Sequence, residues 1–180
     1  MPSVLVPLAP GCEELEAVTI IDILRRAGIE VVSAGLDAQA VRASRGVMLM
    51  PDTTLDEALK RDYDMIALPG GQPGTNNLAA DQRIIDLLKK MAGDGKYITA
   101  ICAAPSVLAK AGLLDGKRAT SFPGALDAFP QVSRQSDAVV ADGNLITSRG
   151  PGTAMDFALM LVERLTSHEK RQAVEAALQR

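Results

Sequence analysis

Residues 97–105 read YITAICAAP, and this stretch decides the fold. Its first half is apolar and predicts a β-strand, while Pro105 is typical of the first turn of a helix. Cys102 stands between the two elements, with Ala100 and Ala104 two positions away on either side. A tight strand-to-helix turn needs such small neighbours, because the backbone comes close to them. The stretch therefore predicts a strand, a sharp turn that presents Cys102, and a helix.

The alternation of short strands and longer helices continues on both sides of this stretch. Met65–Leu68 is apolar throughout, as a strand covered on both faces should be, and is predicted to be central. The Asp142-Gly143 step between two short apolar pairs predicts a β-hairpin. Further strands are predicted over 3–8, 30–34, 47–50, 97–101 and 119–121, and helices over 13–27, 81–91, 105–111, 151–165 and from near 168. We expect an α/β sandwich around a mostly parallel sheet, with a small β-hairpin.

The composition predicts one globular domain over residues 1–180. Of the 180 residues 47% are apolar, which is enough for one sizeable core. A net charge of -3 and 3% aromatic residues give no positive field for phosphates, so specific nucleic-acid binding is not expected. No lysine or arginine precedes Arg25, and no apolar run approaches the roughly 20 residues of a membrane span. We therefore expect a cytoplasmic protein without a membrane segment.

Few residues are available for metal or cofactor chemistry. His168, Cys12 and Cys102 cannot supply the full ligand set of a structural zinc site. Because the cytosol is reducing, we expect both cysteines to be thiols. The glycine runs at 70–74 and 112–118 lack the spacing of a dinucleotide-binding motif and of a P-loop. No metal and no cofactor is expected.

Reactive residue types follow four of the predicted strands. They lie in segments 11–16, 69–74, 102–105 and 147–152. Ligands of parallel sheets bind beyond the carboxyl ends of the strands. A nucleophile, carboxylates, flexible backbone and a cation are therefore predicted to share one edge of the sheet.

Cys102 is the strongest candidate nucleophile at that edge. The positive end of the following helix is predicted to favour its thiolate, although a buried cysteine that acts as a small apolar side chain fits the same sequence. A Cys–His pair is disfavoured, because Ala103 follows the cysteine and the single histidine, His168, is predicted at the solvated start of a helix.

A glutamate is then the candidate proton partner. Glu13 and Glu14 suit the first turn of their helix electrostatically. Glu16 lies one turn further, beside the apolar stripe, where burial would raise its pKa and keep it protonated next to a thiolate.

Backbone amides and one arginine complete the predicted edge. Gly70 and Gly71 offer N–H groups that, with the N–H of Ala103, suit an oxyanion, although a turn that only reverses the chain fits equally well. Arg149 could bind a carboxylate of a ligand, cap a loop or form an ion pair in an interface, and the last two are structural roles.

Six short segments, spread in order along the chain, together carry a resemblance to one protein family. The segments are 11-GCEELE-16, 25-RRAG-28, 44-SRG-46, 68-LPGG-71, 100-AICAAP-105 and 147-TSRGPGT-153. With them the chain resembles the ThiJ/PfpI superfamily, in particular the branch that contains the parkinsonism-associated protein deglycase and bacterial YajL. Each segment alone is a weak signal, but their combination across nearly the whole chain is specific. The resemblance implies a flavodoxin-like three-layer sandwich and a homodimer.

The resemblance also implies a set of site residues. The nucleophile would be Cys102, and its protonated carboxyl partner would be Glu16. The amides and pocket residues around the oxyanion would be Gly70, Gly71, Ala103 and Phe122. The residues that support the site or the dimer would be Arg45, Arg149 and Pro151. Arg45 is expected to reach the site from the neighbouring subunit. Phe122 departs from the pattern, since the parkinsonism-associated member has a histidine there, and the pocket is expected to be more apolar.

The activities of the branch imply an enzyme without a cofactor. It would be a cysteine-dependent glyoxalase or deglycase that acts on methylglyoxal, glyoxal and their early protein and nucleotide adducts, in the response to carbonyl and oxidative stress. Ala103 argues against peptidase and amidotransferase relatives, which carry a histidine directly after the cysteine. The alternative is a redox-sensing chaperone in which Cys102 is oxidised to a sulfinate without important turnover. Cys12, at the neighbouring strand end, would then be a candidate resolving thiol.

Overall fold

Eleven strands and seven helices make up the computed structural model, which describes all 180 residues. The strands are β1 (Ser3–Leu8), β2 (Glu30–Gly35), β3 (Val41–Arg42), β4 (Met48–Leu49), β5 (Thr53–Thr54), β6 (Met65–Leu68), β7 (Tyr97–Ile101), β8 (Arg118–Ala119), β9 (Ser133–Arg134), β10 (Val139–Asp142) and β11 (Leu145–Ser148). The helices are α1 (Glu14–Arg26), α2 (Leu55–Ala58), α3 (Gly74–Ala80), α4 (Gln82–Gly93), α5 (Pro105–Lys110), α6 (Ala154–Leu165) and α7 (His168–Ala177). None of these helices has both the length and the apolar character needed to cross a membrane.

Seven strands form the central sheet, in the order β10-β11-β7-β6-β1-β2-β5. All neighbouring pairs are parallel except β10 and β11, which form the predicted hairpin at one edge. β6 is the fourth of the seven strands, so its uniformly apolar sequence did mark the centre of the sheet. The predicted α/β fold with a mostly parallel sheet and a small hairpin is confirmed.

Helices cover both faces of this sheet. Alternate residues of β1 point to opposite sides: Val4 and Val6 belong to a buried cluster with α1, α6 and α7, whereas Leu5 belongs to a second cluster with α2, α3, α4 and α5. The largest buried side chain, Phe157, lies in the first cluster. The result is the three-layer sandwich that the family resemblance implied.

Two predicted strands are wrong as members of the central sheet. The strand over 47–50 is reduced to β4, which pairs with β3 in a separate two-stranded sheet and leaves Met48 and Met50 exposed. The strand over 119–121 shares only Ala119 with β8, which pairs with β9 in another small sheet. The apolar run over 47–50 does not reveal which sheet a strand joins, and Ala119-Thr120-Ser121 carries too little pattern to fix the bounds of a strand.

The free edge of β2 is covered by side chains. β5 pairs with β2 only at Ala34 and Gly35. Beyond this point, the backbone N–H of Ser33 donates to Oδ2 of Asp52 at 2.9 Å, and Nη2 of Arg25 donates to the carbonyl oxygen of Val31 at 3.0 Å. Arg25 and Asp52 also form an ion pair at 2.7 Å. Backbone groups at this edge therefore have partners within the chain.

Candidate active site

Cys102 occupies a strained turn between β7 and α5. Its φ is 64°, in the left-handed region that residues with a side chain rarely adopt. Two hydrogen bonds fix the turn: the N–H of Cys102 donates to the carbonyl oxygen of Ser148 at 2.9 Å, and its own carbonyl oxygen accepts the N–H of Phe122 at 2.7 Å. The side chain is held at the carboxyl end of the sheet, as a nucleophile elbow requires.

The glycine pair after β6 lets the backbone approach this cysteine. A Cβ atom on Gly70 would lie 2.6 Å from Cβ of Cys102 and 2.9 Å from Oε2 of Glu16, so only glycine fits there. Gly71 has a φ of 87°. The backbone N–H groups of Gly71 and Ala103 act on the Cys102 thiol in the direction that lowers its pKa. Both amides are therefore available to a negative charge that forms at this point.

Glu16 lies in the first part of α1 and is completely buried. Its Oε2 accepts the N–H of Gly70 at 2.7 Å, while Oε1 has no hydrogen-bond partner in the chain. Burial raises the pKa of Glu16 from the ordinary 4.5 to about 7, although the N–H of Gly70 and the neighbouring thiol of Cys102 act to lower it. A protonated Glu16 has an O–H to donate, which an ionised one lacks.

Opposing influences act on the thiol of Cys102. Burial and the neighbouring carboxylate of Glu16 raise the pKa of the Cys102 thiol to about 12, while the amides of Ala103 and Gly71 act in the opposite direction. α5 has only six residues, so its dipole contributes little against these effects. Burial and the carboxylate of Glu16 therefore outweigh the amides, and the thiolate favoured by the helix N-terminus stays a prediction.

The other two glutamates of the first loop have structural partners. Glu13 caps α1 by accepting the N–H of Leu15 at 3.4 Å. The hydroxyl of Ser44 donates to Glu13 at 3.0 Å and to Glu14 at 3.1 Å, and the N–H of Arg45 donates to Glu14 at 2.9 Å. These bonds fix the loop that carries Arg45 against the start of α1. Ser44 belongs to the 44-SRG-46 segment, but nothing in the sequence indicates that its hydroxyl bridges the two glutamates.

Cys12 is a second buried free thiol near the glycine turn. It is 1% exposed, and burial together with the charge of Glu14 raises its pKa to about 12. Gly71 is packed against the backbone of Cys12. A Cβ atom added to Gly71 would lie only 2.9 Å from the carbonyl carbon of Cys12. Both cysteines are thiols in the structure, as expected for a reducing environment.

Phe122, Arg149 and Pro151 surround the elbow at a greater distance. The Phe122 side chain is half exposed and packs against Gly150, while its backbone N–H holds Cys102. Arg149 is exposed and donates to the carbonyl oxygen of Ser136 at 2.8 Å. Pro151 begins the 3-10 turn that leads into α6. Arg149 and Pro151 make no hydrogen bond to Cys102, and neither does the exposed Arg45 of the same chain.

The single histidine lies outside this site. His168 is exposed at the start of α7, where its Nδ1 lies 3.4 Å from a carboxylate oxygen of Glu163. The structure holds no group of three or more histidine, cysteine, aspartate and glutamate side chains that is arranged to bind a metal ion.

The sequence of this chain matches one known family over most of its length. The profile of the DJ-1/PfpI family matches residues 2–164. The chain belongs to the DJ-1/PfpI family. It is 47% identical to "Protein dj-1beta" of Drosophila melanogaster, over 98% of this chain and 96% of the relative. It is 37% identical to "Glutathione-independent glyoxalase DJR-1.2" of Caenorhabditis elegans, over 96% of this chain and 93% of the relative.

Other DJ-1/PfpI proteins match in sequence or in structure. "Protein DJ-1 homolog B" of Arabidopsis thaliana is 48% identical over 94% of this chain, which spans only 39% of that longer relative. The crystal structure of Drosophila melanogaster DJ-1beta superposes with a TM-score of 0.95 and covers 99% of this chain and 97% of its own. "Toxoplasma gondii DJ-1, oxidized" superposes with a TM-score of 0.96 at 42% identity, and covers 99% and 98%. The family resemblance seen in the motifs is confirmed.

Proposed function

We propose that this DJ-1/PfpI domain, over residues 1–180, is a cofactor-independent glyoxalase. Its substrates would be small 2-oxoaldehydes such as methylglyoxal and glyoxal, and their early adducts on proteins and nucleotides, which it would remove as a deglycase in carbonyl stress. The observation that carries the proposal is the strained Cys102 turn with the buried carboxyl of Glu16 beside it, both of them against Gly70. The Caenorhabditis elegans relative named as a glyoxalase supports the reaction class.

The first step is the transfer of the thiol proton of Cys102 to Glu16. This transfer leaves a neutral acid beside the thiolate, and so removes the charge that raised the pKa of the thiol. The thiolate attacks the aldehyde carbon of the substrate and forms a carbon–sulfur bond, while the aldehyde oxygen becomes an alkoxide. The N–H groups of Gly71 and Ala103, which act on the thiol in the resting site, would bind this alkoxide. Protonation of the alkoxide then gives a hemithioacetal.

Proton transfers through Glu16 would complete the reaction. Its carboxylate removes the proton from the former aldehyde carbon while the neighbouring carbonyl oxygen gains a proton, which gives an enediol. The hydroxyl on the sulfur-bearing carbon then loses its proton as Glu16 returns a proton to the neighbouring carbon, and the product is a 2-hydroxyacyl thioester. Water then hydrolyses the thioester, releases the thiol of Cys102 and gives a 2-hydroxy acid, lactate in the case of methylglyoxal. One water is consumed for each 2-oxoaldehyde. A carboxyl group with a pKa of about 7 suits a shuttle that both accepts and donates a proton near neutral pH.

Turnover of methylglyoxal without glutathione tests this proposal directly. We expect lactate from the reduced wild-type protein, no turnover from Cys102→Ser, and retained turnover from Cys12→Ser, which alters the other buried thiol. In D2O, a shuttle through Glu16 predicts deuterium at C2 of the lactate by NMR, because the carboxyl proton exchanges with solvent. Lactate formation by folded Cys102→Ser would refute the assignment of the nucleophile, and protium at C2 would refute the shuttle.

A homodimer is part of the proposal and is supported by exposed apolar side chains. Leu15 and Val18 on α1 are 51% and 48% exposed, and Met48 in the β3–β4 hairpin is 58% exposed. The bonds of Glu14 to the loop before Val47 keep the hairpin beside α1, so these side chains form one surface. Arg45 lies in the same loop and would reach the partner's site. The cytoplasmic location stays a prediction.

Peroxide sensing with chaperone activity is the second candidate function. The amides at the sulfur and the O–H of a protonated Glu16 would stabilise the oxygens of a Cys102 sulfinate. The oxidised Toxoplasma gondii relative has the same fold. Graded peroxide followed by intact-protein mass spectrometry tests this function. We expect a species heavier by two oxygen atoms that is absent from Cys102→Ala and present in Cys12→Ala; the same species in Cys102→Ala would assign the oxygen to methionine or Cys12 and contradict the proposal.

A further inference from the structure

A polar cavity of about 320 Å³ lies outside the proposed reaction. Its charged and polar lining side chains include Thr120, Ser121, Asp127, Arg134, Gln135 and Arg149. Cys102, Glu16 and Phe122 do not line it. Its volume is at the lower end of the range of small-molecule sites. Among its lining residues only Arg149 lies in one of the segments that carry the family resemblance, and the other walls come from separate loops.

The cavity adjoins the carboxyl end of the sheet. The N–H of Thr120 donates to Oγ1 of Thr147, in β11, at 3.0 Å, and the N–H of Phe122 donates to the carbonyl oxygen of Cys102 at 2.7 Å. The segment 120–122 is thus fixed to the ends of β7 and β11. Arg149, directly after β11, contributes another part of the wall. The cavity and the cysteine turn are neighbours that share this segment.

The charges of the cavity favour an anion. Arg134 and Arg149 face a single carboxylate, that of Asp127, which lies 2.6 Å from Nη1 of Arg134. Arg149 uses one N–H on the carbonyl oxygen of Ser136. Each guanidinium has five N–H donors, so both keep donors that are not used within the chain. The lining therefore carries one net positive charge in a chain whose net charge is -3.

Thr120 adds a second, independent indication of a ligand. It is 1% exposed, and its hydroxyl has no hydrogen-bond partner in the protein. A buried hydroxyl without a partner costs free energy that an acceptor atom of a ligand would recover. The neighbouring Ser121 and Gln135 supply further polar groups to the same wall.

We propose that this cavity binds the phosphate group of a small phosphomonoester. Phosphate offers more acceptor oxygens than a carboxylate, and two guanidinium groups with a hydroxyl donor can satisfy them together. A monocarboxylate is satisfied by the fork of a single arginine. The proposal concerns binding, so it stands or falls separately from the glyoxalase reaction.

Calorimetric titration with inorganic phosphate at constant ionic strength tests the site. We expect one site per chain in the wild type, binding weakened about tenfold or more by Arg149→Gln and by Arg134→Gln, and a smaller loss with Thr120→Val. Asp127→Asn should tighten binding, because it removes the opposing charge. Arg61→Gln, which makes the same charge change beside Glu30 at the amino end of β2, should leave binding unchanged.

Four results would overturn the proposal. They are the absence of saturable binding, unchanged binding in folded Arg149→Gln, loss of binding after alkylation of Cys102, and acetate that binds as tightly as phosphate. Loss of binding after alkylation would place phosphate in the pocket of Cys102 instead. Thermal melts followed by circular dichroism verify folding, and Arg149→Lys, which keeps the charge, replaces Arg149→Gln if the latter does not fold. Arg149→Lys should then bind more weakly than wild type, because lysine lacks the planar fork.

Discussion

The buried carboxyl of Glu16 should make the protein less stable as the pH rises, and Glu16→Gln should remove this effect. Below pH 4.5, Glu16 is protonated in the folded and in the unfolded chain. Between pH 4.5 and about pH 7, the folded chain keeps the proton and the unfolded chain loses it, so the free energy of unfolding falls. Above about pH 7 the loss is complete and amounts to about 3 kcal/mol, at about 1.4 kcal/mol for each pH unit.

Glutamine is a close mimic of the protonated glutamic acid. Its carbonyl oxygen can accept the N–H of Gly70, and its amide can donate to the sulfur of Cys102, but it cannot ionise. We therefore expect the stability advantage of Glu16→Gln over the wild type to grow by about 2.5 kcal/mol between about pH 5 and about pH 8.5. Comparing the two chains at each pH cancels the titration of all groups that behave alike in both.

Urea unfolding followed by circular dichroism, at one protein concentration and both pH values, measures this difference. Glu14→Gln is the matched control. Desolvation is the largest single influence and raises the pKa of Glu14, but hydrogen bonds from its own backbone, Ser44, Val47 and Arg45 together outweigh it and lower the pKa. Replacing Glu14 should therefore cost stability at both pH values. An advantage of Glu16→Gln that changes by less than about 0.5 kcal/mol would refute the raised pKa of Glu16 and its role as a proton reservoir.

Three further perturbations test the packing, the dimer and the pocket. Gly70→Ala places a methyl group 2.6 Å from Cβ of Cys102 and should cost about 2 kcal/mol of stability in urea unfolding, whereas Gly93→Ala, with open space around it, should cost nothing measurable. Val18→Asp puts a charge on the exposed apolar face of α1 and should shift the mass in sedimentation equilibrium from dimer to monomer; an unchanged mass would exclude this face from the interface. Phe122→His should change the pH dependence of kcat/KM by adding a group that titrates near neutral pH beside the cysteine, and an unaltered profile would show that this position does not face the reaction.

Much of the fold was predictable because its signals are local. The bounds of β1, β6 and β7 agree with the sequence prediction, since each is a short apolar run with clear turn residues on both sides. α3 was missed because its sequence, GTNNLAA, contains two asparagines and no apolar repeat. β5 and α2 are too short to show any period.

The sequence predicted where Cys102 and Glu16 would meet, because the topology of a parallel sheet brings the carboxyl ends of its strands together. It also predicted the raised pKa of Glu16, since that residue lies beside an apolar stripe. The raised pKa of the Cys102 thiol was not predictable, because it depends on packing between segments that are far apart in sequence: Glu16 meets Gly70 across 54 positions. Arg149 was a candidate ligand-binding residue from sequence, but the other walls of its cavity come from segments that carry no motif.

The side chains along the edge of β2 have a consequence for behaviour at high concentration. An open strand edge is a template on which another chain can add a strand, and this is a common start of aggregation. Asp52 and Arg25 occupy the N–H of Ser33 and the carbonyl of Val31, and they place a charged pair where such a strand would lie. At the opposite edge of the sheet, the backbone N–H of Arg118 donates to the carboxylate of Asp142, and its Nη2 donates to the carbonyl oxygen of Ala141 in β10. The same ion pair that fastens a loop therefore also keeps molecules of this protein from joining edge to edge.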